Sequence, residues 1–196
     1  MIRNSRGIEE TNQFPKKEKS FNLNESIQNL ELKDFSSENA VEIGKLLIEN
    51  GINPYERDML GNNFLHKSCY LKNPYITNLL CSSGIDVEEK NKLGCTALHI
   101  SCSIGNLDHI ITLIKHGCDV DAKTNNYWTP LYWAASIGNL RIVRYLLSKN
   151  ANPNVLTKEG DSACSVAIHS FEKIEIMKIL LNHEADVNLI HSGGYY

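Results

Sequence analysis

The chain has 196 residues, 42% of them apolar and 22% charged, with a formal net charge of −3, enough for one ordinary domain or a short row of stacked units. That balance supplies no electrostatic drive toward nucleic acid or an anionic membrane, both of which favour a basic surface. No apolar run reaches the length of a membrane span, and Met1-Ile2-Arg3-Asn4 opens no secretory apolar region.

Residues 1–20 are polar, charged and without helical period, and are expected to form a disordered leader. Lys16-Lys17-Glu18-Lys19 is a basic patch of the kind used in nuclear import, but a solvated tail explains it more simply. Residues 21–56 are expected to form a degenerate N-terminal capping unit. Val41, Ile43, Leu46 and Leu47 follow helical spacing there and stop at Asn50-Gly51. A terminal unit with one polar side keeps a stacked row soluble.

From Asp58 the chain repeats itself. Leu65, Leu98, Leu131 and Cys164 are each 33 residues apart, as are Gly51, Gly84, Gly117 and Asn150, and a fixed period of this length is the mark of stacked units. Four full units follow, at 58–90, 91–123, 124–156 and 157–190. Each runs from a turn into an inner helix, a break, an outer helix and an exit. In the second unit the inner helix is expected over Thr96–Ser103 and the outer over Leu107–Lys115, with Thr96 paired to His99 across the turn. The first unit departs at Lys72-Asn73-Pro74, where Pro74 opens the second helix at its first turn. In the third, Pro130 starts the inner helix, and Ile142, Val143, Leu146 and Leu147 form the outer apolar face. Tyr127 stands where Gly61, Gly94 and Gly160 stand, a turn position that often needs positive φ; either Tyr127 adopts it at a cost or the turn changes. One extra residue in the fourth unit lengthens the loop His169–Lys173. Residues 191–196 match the turn that would open a further repeat, so the outer face of the fourth unit is expected to be exposed, as in a truncated array or one whose end a partner covers.

Gly94-Cys95-Thr96-Ala97-Leu98-His99, Thr129-Pro130-Leu131 with Ala134, and Leu180-Leu181 with Ala185-Asp186-Val187-Asn188 together resemble the ankyrin repeat. The resemblance covers roughly residues 39–188. It implies an all-α solenoid of helix–turn–helix units joined by β-hairpin-like turns. It also implies a non-catalytic module, an adaptor or scaffold, that binds a protein partner through its concave face and turn tips. The alternative it leaves open is the recognition part of a larger protein, such as a ubiquitin-ligase receptor, a channel domain or a microbial effector.

Carried over from the family position by position, the partner-binding residues are Met59, Leu60, Asn62 and Tyr70 in the first unit and Lys92, Leu93, Cys95 and Ser103 in the second. The third contributes Asn125, Asn126, Trp128 and Ser136, and the fourth Lys158, Glu159, Asp161 and His169. Trp128, surrounded by Tyr127, Tyr132 and Trp133, is the leading anchor, because buried aromatic rings dominate interface energetics. The competing reading is that these rings pack on one another to mend the turn that lacks its glycine. Repeats with this pattern are asparagine-hydroxylation substrates in animals, which singles out Asn188, although stabilising its turn is the simpler role.

Cys95, His99 and Cys102 are spaced C-x3-H-x2-C, but a structural zinc needs four converging ligands and each of the three has a repeat position to explain it. No metal or cofactor is therefore expected. His109, His116, His169 and His183 are scattered and read as ordinary polar residues. Cys69 and Cys102 share a repeat position that suits a small apolar side chain, so the six cysteines are expected to be reduced, in a cytoplasmic or nuclear protein. No nucleophile elbow, phosphate loop or HExxH motif is present, and no catalysis is expected. The chain is expected to be monomeric unless the C-terminal end of the array pairs.

Overall fold

Each inner helix starts behind a short polar residue, and these residues recur at the repeat spacing: Asn63, Thr96, Thr129 and Ser162. Side-chain oxygens at such positions satisfy backbone N–H groups that the first turn of a helix leaves without partners. Asn63 accepts from the N–H of His66, Thr129 from that of Tyr132 and Ser162 from that of Ser165. In the second unit the geometry is reciprocal, and the N–H and hydroxyl of Thr96 both point at Nδ1 of His99, at 3.2 and 2.9 Å. The computed structural model describes residues 53–170 and 172–189. The expected leader, nearly all of the N-terminal cap and the segment 191–196 lie outside the described residues.

Eight helices, and no strand, are present among the described residues. They form four pairs: α1 (Phe64–Ser68) with α2 (Tyr75–Ser82), α3 (Ala97–Ile104) with α4 (Leu107–Lys115), α5 (Pro130–Ser136) with α6 (Leu140–Ser148), and α7 (Ala163–Ala167) with α8 (Lys173–Leu181). Inner helices stack in chain order, α1 on α3, α3 on α5 and α5 on α7, while α2 packs on α4 and α6 on α8. The result is an all-α solenoid. Its core is a pair of ladders. Leu65, Leu98, Leu131 and Cys164 line the inner one and Leu80, Leu113, Leu146 and Leu180 the outer one, all buried. A fully buried leucine contributes about 1.5–3 kcal/mol, so each unit is held mainly by its neighbours.

Outer helices end in left-handed residues at Gly84, Gly117, Asn150 and Glu184, the last two at φ 63° and 61°. The fourth exit falls 34 residues after the third, in step with the insertion. That insertion falls between α7 and α8, and Lys173, expected to close the longer loop, is instead the first residue of α8. Pro74 stands one residue outside α2, as its N-cap.

The turns that open the units share one closure. The N–H of Asp58, Asn91, Thr124 and Thr157 donates to the carbonyl four residues on, at Asn62, Cys95, Trp128 and Asp161, over 2.8–3.0 Å. Successive tips are then joined by main-chain bonds. Lys92 N–H donates to Leu60 O at 3.0 Å, Asn125 N–H to Leu93 O at 3.1 Å, and Lys158 N–H to Asn126 O at 3.1 Å.

Candidate functional site

The tips carry most of the exposed candidates. Met59 is 90% exposed, Leu60 58% and Leu93 61%, and Lys92, Asn125, Asn126, Lys158, Glu159 and Asp161 are exposed beside them. Leu60 and Leu93 occupy the same place in their units, so the first two tips present a short apolar ridge. The main-chain bonds between tips bring these residues into one row. Tyr70 (65% exposed) and His169 lie at the far ends of their inner segments, and Ser103 and Ser136 are half-buried on α3 and α5.

Two expected contact residues turn inward. Asn62 is 8% exposed, and its side chain donates to Asp58 Oδ2 and accepts from Asn91 Nδ2 at 2.8 Å. Cys95 is 9% exposed, and its carbonyl accepts from Nε2 of His66 at 3.0 Å. Both serve the stack between the first and second units.

Trp128 is half-buried. Its ring stacks on Tyr132 (centroids 5.7 Å apart, planes at 19°) and meets Trp133 edge-on at 5.2 Å and 79°, so these rings do pack on one another. Its carbonyl accepts from Nε2 of His99 at 3.0 Å. Tyr127 is not part of that cluster. It takes the left-handed conformation at φ 63°, which settles the alternative the sequence left open. Its ring is 49% exposed, with the Lys123 and Lys158 ammonium groups 5.8 and 5.3 Å from the centroid.

Both nitrogens of His99 are engaged within the fold, and burial depresses it to a pKa of about 4. Burial likewise lowers His66. All six cysteines are buried and unpaired, and burial pushes the thiols of Cys69 and Cys81 up to about 12 and about 11. Asn188 is exposed, and its N–H donates to Asp186 Oδ1 at 2.8 Å, closing the local turn.

His109 departs from the expectation of an ordinary polar residue. It is fully buried, in the place that Ile76, Ile142 and Ile176 hold in the other outer helices. Its Nδ1 lies 2.8 Å from Thr77 Oγ1 and its Nε2 2.9 Å from Leu71 O, so it binds the first unit to the second. Thr77 in turn sits 2.7 Å from Ser68 Oγ. Burial lowers the pKa of His109 and favours the neutral ring. The signal was available in the sequence: Thr77 and His109 each interrupt a column that is aliphatic in neighbouring units.

On the outer side of the fourth unit a cleft of about 280 Å³ is lined by Cys164, Ile168, Met177, Val187 and Leu189, among others. No helix among the described residues is long and apolar enough to cross a membrane.

The family model for ankyrin repeats (3 copies) matches residues 34–124 and 112–191, well over half of the chain. The chain belongs to the ankyrin-repeat family. No match was found among curated proteins. Ankyrin repeats are generally protein–protein interaction modules and are typically non-catalytic. In this ankyrin-repeat protein the four tips and their inner helices therefore form the candidate interaction surface, with Asn62 and Cys95 acting as scaffold.

Proposed function

We propose that this ankyrin-repeat protein is a non-catalytic adaptor or scaffold that binds a protein partner through its turn tips and the concave face of its inner helices. The observation that supports this most is the row of tips itself. Exposed side chains of mixed character stand on units locked to one another by main-chain bonds, and a surface ordered in advance loses little entropy on binding. The mixture of leucine, methionine, asparagine and both signs of charge suits a protein better than a phosphate backbone. Trp128, half-buried at the third tip, remains the central anchor candidate, with Ser103 and Ser136 as further contacts on the inner helices. The cytoplasm or nucleus is the proposed compartment, in keeping with six reduced thiols.

The test is affinity capture from a lysate of the source, with wild-type protein beside Leu93→Asp and Trp128→Ala variants shown by circular dichroism to be folded. Capture of specific proteins that is lost in both variants supports the reading. Capture unchanged by either variant places binding elsewhere and refutes the site. An appended domain in the full-length transcript would favour the recognition part of a larger protein over a free-standing adaptor.

A further inference from the structure

Tyr127 is an anomaly. Its backbone occupies the left-handed region that glycine holds at the same position in the other three units, at φ 79°, 78° and 87°, a conformation that is strained for a bulky residue. In return the fold gains no buried ring, because Tyr127 is half exposed. What it gains is an aromatic platform at the third tip, with the ammonium groups of Lys123 and Lys158 each within 6 Å of the ring centroid. Among the described residues the ion pairs are Arg57–Glu89 and Lys178–Glu175, so neither lysine is ion-paired there, although the Asp121 carboxylate feels the charge of Lys123. Lys92, on the tip before, is not ion-paired there either. Glu159 and Asp161 are the nearby acids on the fourth tip, and Asp161 already accepts from the Ser165 hydroxyl at 3.1 Å.

We infer that the tip row takes an extended, acidic segment of a partner protein, with its aliphatic side chains over Leu60 and Leu93 and its carboxylates at Lys123 and Lys158 around Tyr127. The inference rests on the binding reading above and assigns the partner's chemistry. Geometry adds a spacing rule. Stacked helices lie about 8–10 Å apart, and an extended segment of polyproline-II type advances about 3.1 Å per residue with three residues per turn. One tip therefore corresponds to about three residues of the partner, positions three apart in such a segment face the same side, and aliphatic and acidic side chains should stand about three positions apart, in either order. Charge attraction of this kind acts mainly on association rate and partner choice, and weakens as salt rises.

A random-peptide phage library selected on the immobilised full chain tests this, with recovered peptides measured by fluorescence anisotropy. Asp and Glu should be enriched about three positions before or after an aliphatic residue. Affinity should fall roughly tenfold in a folded Lys123→Glu/Lys158→Glu variant, and again on raising the salt. Selected peptides without that enrichment, or with affinity indifferent to the two lysines, overturn the inference. So does equal competition by a single-stranded oligonucleotide of matched charge, which would mean that charge alone is read. If peptides lose affinity only with Trp128→Ala, the partner-binding function stands and this inference falls. If the library yields no binder while lysate capture succeeds, the inference again falls alone; if both fail, the function falls with it.

Discussion

Replacing Gly94 by alanine tests how the units are joined. The backbone at Gly94 has φ +78°, and an added Cβ would lie 2.5 Å from both the backbone N and the side-chain Oδ1 of Asn125 on the next tip. The side-chain oxygen can swing away, but the backbone nitrogen cannot. The third tip must retreat by about 1 Å, since ordinary contact begins near 3.4 Å. That movement disrupts the Asn125 N–H to Leu93 O bond and the Asn125 Nδ2 to Lys92 O bond, each about 1 kcal/mol in net stability. Adding about 1–2 kcal/mol for a left-handed alanine, the expected loss is roughly 3–4 kcal/mol. Gly84 is the control. It is equally left-handed, at φ +88°, but its added Cβ meets nothing within 4 Å, so Gly84→Ala should cost only the backbone part, about 1–2 kcal/mol. Urea denaturation followed by far-ultraviolet circular dichroism measures both on the same chain. If Gly94→Ala costs no more than Gly84→Ala, contact between tips does not couple the units and the argument is wrong.

Tyr127→Gly should raise stability by roughly 1 kcal/mol in the same assay, because it relieves the left-handed strain while surrendering only partly exposed cation–ring contacts; a loss of stability would show that the ring is structural. His99 makes stability fall on acidification. Its folded pKa of about 4 lies below the 6.5 of a free imidazole, so as pH drops through that window the unfolded chain takes up the proton first. The limiting loss from this group is about 3 kcal/mol, complete near pH 4, and His99→Gln should flatten the slope of stability against pH; an unchanged slope would refute the assignment. The buried, high-pKa thiols predict slow alkylation by iodoacetamide at pH 8 in the native protein and six adducts once it is unfolded. Rapid native labelling of Cys69 or Cys102, followed by mass spectrometry, would contradict their burial.

Where repeat positions kept their usual chemistry, the sequence was legible. The 33-residue ladder located the inner helices, Pro130 marked the start of α5, and Thr96 with His99 announced its own cap. Tyr127 could be flagged but not resolved from sequence, because propensity sets the cost of a left-handed tyrosine and not whether the turn accepts it. Asn62 and Cys95 were assigned to the surface by family position, whereas the orientation of a turn side chain depends on contacts with the next unit, here Asn91 and His66. His109 was misread because its partners, Thr77 and Leu71, belong to the preceding unit, 32 and 38 residues back. Reading the columns down the stack exposes that pair of substitutions; reading along the chain does not.

The bonds tying each tip to the next run from peptide N–H to peptide C=O. Leu60, Leu93 and Asn126 hold the next tip through their peptide groups, so each of these side chains can be exchanged by mutation while the spacing of the row persists. Descendants of this gene could thus acquire a new vocabulary of partners one residue at a time. Gly94 is the one letter in the second tip that the neighbouring backbone forbids them to change.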